Sequence, residues 1–175
     1  MALSINVSDN CKYLTVIINY TTTSSVTVSL DIVDYNGISI SGSLSPTFTI
    51  SSGSAPINYP IPINDLDITN GIITVVLNTS SGNEIAKASA LVHCDIDCCL
   101  TKLTNELLEC DCDCVKCSSA LAKAQKVFLL IKSADHALSQ INILNPSNTA
   151  GYLKDAQNKY LKSKEICDDS CGCDC

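Results

Sequence analysis

The sequence predicts an α+β protein in two parts: a small β-sandwich over residues 1–92, then a cysteine-stapled helical hairpin or three-helix segment over residues 93–175. Three observations predict it. Apolar residues recur at every second position in the first part and at helical spacing after Cys94. Turn-forming pairs such as Asn36-Gly37 and Asn70-Gly71 punctuate the first part at short intervals. Eleven of the 12 cysteines lie after residue 93, with Cys11 the exception.

The strands follow in order. Val26, Val28, Leu30 and Ile32 alternate with Thr27, Ser29 and Asp31, which is the period of a strand buried on one face. Residues 3–8, 13–20, 38–41, 47–51, 57–63, 72–78 and 85–92 are the other candidates. Asp9-Asn10, Asn36-Gly37, the stretch 42–46, Asn70-Gly71 and Ser81-Gly82-Asn83 separate them. Seven or eight short strands at this spacing match a sandwich of immunoglobulin type. Pro56, Pro60 and Pro62 send residues 57–63 to a sheet edge or a loop, because proline cannot donate to a ladder. Cys11 has no cysteine partner in this part and reads as a buried small apolar residue.

After Cys94, Leu100, Leu103 and Leu107 are spaced for one helical face. Ala120, Ala124, Val127, Ile131, Ala134, Leu138 and Ile141 continue such a face along a long helix over about residues 117–142, which Asn145-Pro146 stops. Asn148-Thr149 can cap a third helix over about 150–167, with Tyr152, Leu153, Ala156, Tyr160 and Cys167 inward. Lys123, Lys126, Lys132, Lys154, Lys159 and Lys162 form the solvated face. A short connection packs the last two helices antiparallel. That packing returns Cys167, Cys171, Cys173 and Cys175 toward Cys110, Cys112, Cys114 and Cys117.

Composition excludes several functions. The net charge is −7, every basic residue is lysine, and tryptophan is absent. Such a chain lacks the arginine contacts and stacking platforms that nucleic acids favour, so no nucleic-acid partner is expected. No apolar run reaches the ~18–20 residues of a membrane helix, so no membrane partner is expected either. The first ten residues lack the basic and apolar regions of a signal peptide, which implies synthesis in a host cytoplasm. The sequons at Asn6, Asn19 and Asn78 then carry no meaning. There is no Gly-rich phosphate loop, HExxH, nucleophile elbow or Ser/His/Asp set. His93 and His136 are the only histidines, which leaves acid–base chemistry little to work with, and His136 reads as a surface residue. The expectation is a protein that is not an enzyme and has no catalytic residues.

The cysteines carry the remaining chemistry. Cys94/Cys98, Cys110/Cys114, Cys167/Cys171 and Cys171/Cys175 are each four apart, which puts each pair on one face of a helix. Cys114 and Cys117 bracket a CxxC, and Cys110-Asp-Cys112-Asp-Cys114 and Cys171-Gly-Cys173-Asp-Cys175 are CxCxC runs. Two readings stand side by side. In the first, Cys110, Cys112, Cys114, Cys117, Cys167, Cys171, Cys173 and Cys175 hold one or two structural zinc ions as tetrahedral thiolates. His93 could add a nitrogen ligand, although a lone histidine is more often a bystander, and the flanking aspartates disfavour crowded thiolates. In the second, disulfides form among these residues and Cys94, Cys98 and Cys99, lacing antiparallel helices together. A reducing cytosol favours metal. A protein that later leaves the cytosol inside a released particle can oxidise. The spacings match no ferredoxin pattern, and no βαβ unit surrounds the CxxC as in a thioredoxin-like oxidoreductase.

The junction is the most distinctive stretch. Ile61-Pro-Ile-Asn-Asp-Leu-Asp-Ile-Thr-Asn-Gly-Ile-Ile is followed by a strand and then by His93-Cys94-Asp-Ile-Asp-Cys98-Cys99-Leu-Thr-Lys-Leu103. This resembles structural proteins encoded among the virion genes of tailed bacteriophages. In those, an immunoglobulin-like module precedes a helical segment of CxxxCCLxKL type, a CxxC and a final lysine-rich helix. The resemblance covers most of the chain, although the dense cysteines at 171–175 depart from it. It implies a multi-copy or homo-oligomeric component of a head, neck, tail or fibre that binds other virion subunits. It supplies no catalytic residues. A cytosolic metal-buffering protein and a thiol oxidoreductase are the rival readings.

Overall fold

The computed structural model describes residues 2–8, 12–19, 25–41, 46–51, 56–66, 70–109, 115–143 and 149–171. Among these residues seven strands come first: β1 (Ala2–Val7), β2 (Tyr13–Asn19), β3 (Val26–Asp34), β4 (Thr47–Ile50), β5 (Ile57–Pro62), β6 (Asn70–Thr79) and β7 (Glu84–His93). Three helices follow: α1 (Cys94–Leu108), α2 (Val115–Ile143) and α3 (Thr149–Cys171). The fold is α+β, with two antiparallel sheets ordered β1-β2-β5 and β4-β3-β6-β7.

Period-2 patterning builds the first core. Leu14, Val16 and Ile18 of β2 meet Val28, Leu30 and Ile32 of β3 and Ile73, Val75 and Leu77 of β6 in one buried cluster between the sheets. β5 lies on an edge and pairs with β2 alone, as its prolines require. Residues 38–41 do not form the separate strand their pattern suggests. They touch β3 through a single bridge between Val33 and Ser39 and through Ile40 N–H to Ile32 O at 2.8 Å. Two local devices hold them there. The Asp34 carboxylate accepts the Asn36 and Ile38 amides at 2.8 Å each, an Asx turn in which Gly37 takes φ +78°. Ser39 and Ser41 donate their hydroxyls to Asp31 Oδ1 at 2.7 and 2.9 Å.

The four-stranded sheet is buried on both faces at β6 and β7. Ile72 and Leu91 stand opposite each other in the register and point away from the first core. They join Ile96, Cys99 and Leu103 of α1, Val127, Ile131 and Leu138 of α2, and Ala156, Tyr160 and Cys167 of α3 in a second cluster. The almost unbroken apolar run Ile72-Ile73-Thr74-Val75-Val76 is the signature of a strand covered on two sides. The sheet therefore forms a middle layer, with the smaller sheet on one side and the helices on the other.

The inward stripes expected for α2 and α3 point into this second core, and Ser163 is also buried, with its hydroxyl bonded to the Tyr160 carbonyl at 2.6 Å. α2 begins two residues before the expected start and α3 one residue before, at Thr149. The burial expected of Cys11, the stop at Asn145-Pro146 and the cap at Asn148 fall outside the described residues.

Candidate functional site

Three features on or around the helices could carry function. The first is the cysteine frame. α1 starts directly at Cys94 with no intervening loop after β7, and it carries Cys98 and Cys99 in its second turn. Cys99 is fully buried, and so is Cys167 near the end of α3. The two form a disulfide with Cα atoms 5.7 Å apart and a sequence separation of 68. α3 therefore returns to α1 through Cys167 and Cys99, while the expected approach of Cys167 to Cys110, Cys112 and Cys114 falls on residues outside those described. Cys94, Cys98 and Cys117 are disulfide-bonded as well. Cys110, Cys112, Cys114, Cys173 and Cys175 lie outside the described residues, as does the Cys171 side chain. Among the described residues, no group of three or more His, Cys, Asp or Glu side chains is placed to hold a metal ion.

The second feature is a cleft of about 590 Å³ where β1 and β7 meet α1 and α2. His93, the last residue of β7 and the N-cap of α1, sits on its wall with Asp97, Lys132 and Asp135. His93 Nδ1 lies 3.0 Å from Asp97 Oδ1, four residues on. Burial pulls the imidazole pKa down, but the Asp97 hydrogen bond and the charges of Asp97 and Asp135 outweigh it, and the net shift is upward. Burial also raises the Asp135 carboxyl, with His93 and Lys132 opposing it and Asp97 reinforcing it. The charges of His93 and Asp97 at the β7–α1 junction and of Lys132 and Asp135 on α2 thus face one cleft. The i, i+4 spacing of His93 and Asp97 is a sequence-level signal for the pair. Asp135 lies on a different helix, far from His93 in sequence, and no local pattern announces it.

A polar knot on α1 faces α3. The Asp95 amide donates to Asn70 Oδ1 at 3.1 Å, anchoring the start of α1 to β6. The Asp95 carboxylate accepts the Tyr160 hydroxyl at 3.1 Å and lies 3.6 Å from the Lys164 ammonium. Burial, the Asp95 charge and the hydrogen bond to Asp95 together push the Tyr160 phenol well above its ordinary range, so it stays a neutral donor.

The third feature is the outer face of α2. Leu121, Phe128 and Leu129 are 46%, 51% and 66% exposed on the side opposite the buried stripe. A helix that only covers a core shows charges there. His136 is exposed, as its position suggests. No helix among the described residues is long and apolar enough to cross a membrane.

No family model matches the chain, and no curated protein matches it. Among solved structures, a β-glucosidase from Kluyveromyces marxianus is similar at 13% identity and a TM-score of 0.39, over 53% of this chain and 14% of the enzyme. The same enzyme with glucose bound gives 13% identity and a TM-score of 0.36. A β-glucosidase from Streptomyces venezuelae gives 9% and 0.33, over 53% of this chain and 14% of its own. The chain thus spans about one-seventh of those proteins, and likeness of this degree says nothing about its activity.

Proposed function

We propose that this chain is a non-enzymatic structural subunit that assembles in several copies through protein–protein contacts, as a component of a virion. The observation that carries the reading is the outer face of α2, where Leu121, Phe128 and Leu129 stay exposed on a helix whose opposite face fills a core. Exposed apolar patches with polar rims mark sites of association.

The strand orders support reading the sheets as an immunoglobulin-like sandwich. On that reading β1, β2 and β5 would correspond to strands A, B and E, and β4, β3, β6 and β7 to C′, C, F and G. The Cys99–Cys167 bridge and the bonded state of Cys94, Cys98 and Cys117 favour disulfides over zinc as the staples of the helical part. Disulfides suit a protein that functions outside a reducing cytosol, as a released particle does. The junction sequence around His93-Cys94 and Cys98-Cys99, similar to that of tailed-phage virion proteins, supports the virion assignment.

Two measurements test this. Sedimentation velocity of the full chain is expected to reveal species larger than a monomer that grow with concentration, and a strict monomer at high micromolar concentration overturns the assembly reading. Intact mass with and without reductant, with elemental analysis, is expected to show the native chain two hydrogens lighter per bridge and free of zinc. Full-mass thiols with one or two zinc ions per chain would instead make the helical part a metal-organised module, which chelation unfolds.

A further inference from the structure

Cys94 is disulfide-bonded, and Cys99 and Cys167 hold each other. Among the described residues no bridge joins Cys94 to Cys98 or Cys117, so its partner is a cysteine outside them. The choice is between Cys11 and the cysteines at 110–114 and 171–175. The fold around Cys94 separates these.

Cys94 opens α1, whereas Cys110, Cys112 and Cys114 follow its far end. α1 has 15 residues, a length of about 22 Å. α2 leads away too. Its Lys132 and Asp135 share a cleft with His93, so its start at Val115 lies about 25 Å from that level. α3 runs in the same direction as α1, because Asp95 meets Tyr160 and Lys164 while Cys99, one turn on, meets Cys167. Cys171 is a further turn away from Cys94, and the chain beyond it reaches Cys94 only by doubling back along α3. Cys94 itself packs against the cluster between the two sheets and not against the cluster that the helices share.

The register brings Cys11 to that side. Val7 stands opposite Leu14, Tyr13 opposite Pro62, and Asn70 opposite His93. The Ile63 amide donates to the Lys12 carbonyl at 3.0 Å, and Ile63 and Leu66 carry the chain through the same core toward Asn70. The β1–β2 connection and the β7–α1 junction therefore lie at one end of the sandwich, where Ser8 and His93 line the same cleft. The Lys12 and Tyr13 amides donate to Ser8 Oγ at 3.1 and 3.0 Å, which holds the two sides of the connection together. Cys11 is covalently next to Lys12, a Cα–Cα step of about 3.8 Å.

We infer that Cys11 and Cys94 form a disulfide that ties the sandwich to the helical part. The two thiols lose two protons and two electrons to an external small-molecule disulfide, which leaves as two thiols. The bridge gives the first part's single cysteine a role and adds a covalent tie at the point where β7 runs directly into α1. It rests on the reading of the helical part as disulfide-stapled and is independent of assembly.

The test is peptide mapping of the full native chain, alkylated and digested without reductant by trypsin and a protease that cuts before aspartate. These cuts place Cys11 in residues 9–12, Cys94 in 88–94, Cys99 in 97–102 and Cys167 in 165–167. Fragment 9–12 is expected joined to 88–94, and reduction should separate the pair. Fragments 97–102 and 165–167, joined through Cys99 and Cys167, are the internal control. With that control present, Cys11 recovered as an alkylated thiol or joined to any other fragment overturns the Cys11–Cys94 bridge and leaves the disulfide reading standing. Every cysteine recovered as an alkylated thiol overturns both. As a second arm, Cys11→Ser is expected to add one free thiol per chain, titrated in denaturant without reductant, with the new alkylation on fragment 88–94. A thiol count that is unchanged or falls overturns the bridge.

Discussion

Removing the Cys99–Cys167 bridge by Cys99→Ala/Cys167→Ala is the perturbation whose size the structure states most directly. The bridge spans 68 residues and closes α1 onto α3 around all of α2. Chain-entropy accounting for a loop of that length gives about 4 kcal/mol if it were the only cross-link. Cys94, Cys98 and Cys117 are also bonded, and further cross-links shorten the effective loop of the unfolded chain. About 2 kcal/mol is the corresponding lower figure. Both sulfurs are buried, so the lost side-chain volume adds to the effect. At about 2–4 °C per kcal/mol for a chain of this size, the midpoint should fall by roughly 4–16 °C. Thermal and urea unfolding followed by far-UV circular dichroism, without reductant, gives the answer. A double variant within about 1 kcal/mol of the parent refutes the claim that this bridge closes the helical layer.

Three further outcomes are expected. The raised pKa of His93 means the folded chain holds that proton more tightly than the unfolded one, so its stabilising contribution is complete below pH 6.5 and is lost as pH rises through the folded value. Asp135, raised from 3.8, acts with the same sign over its own window, and a melting series across pH should lose the His93 step in His93→Gln. Leu91→Ala should cost about 2–5 kcal/mol, because its side chain fills the space between β7 and the helices; chemical denaturation measures the loss. Tyr160→Phe should cost about 1–3 kcal/mol by leaving the Asp95 carboxylate without its phenol donor, and a smaller loss would show that Lys164 alone satisfies it.

The parts of this fold that follow from period were legible in the sequence. The stripe from Ala120 to Ile141 and the alternation on β3 each encode their own buried face, and both faces are buried where expected. Residues 38–41 alternate just as well, yet they touch β3 at only one bridge. The neighbouring Asp34 turn and the hydroxyls bonded to Asp31 decide their path, and alternation does not report these. Ile72 and Leu91 fall within predicted strands, but nothing in the pattern marks them as contacts to helices, because tertiary packing settles which face of a sheet a helix covers. The choice of Cys99 for Cys167 among eleven clustered cysteines is likewise a property of how α3 crosses α1. Spacing alone leaves many connectivities open. The placing of His93 and Asp135 on the wall of one cleft depends on the same packing.

These tertiary choices all stiffen one layer. β7 runs into α1 with no residue between them, so the helix inherits the direction of the strand. Ile72 and Leu91 seat the helices on the middle sheet, Asp95 ties α1 to Asn70 and Tyr160, and the Cys99–Cys167 bridge fixes α1 to α3. α2 is then held from behind by all three, and its outer face is offered on a support that costs little further order when a partner docks. Binding loses free energy when flexible groups must be immobilised. A subunit that meets its neighbours through the outside of α2 gains from having that immobilisation completed when it folds. The disulfide thus acts on the proposed interface without touching it. A chain lacking the bridge should therefore assemble more weakly than its loss of global stability alone would predict, even at a temperature where it remains folded, and sedimentation of the Cys99→Ala/Cys167→Ala variant measures this. If that variant assembles as tightly as the parent while fully folded, the support that α1 and α3 give to α2 is not what makes its outer face competent.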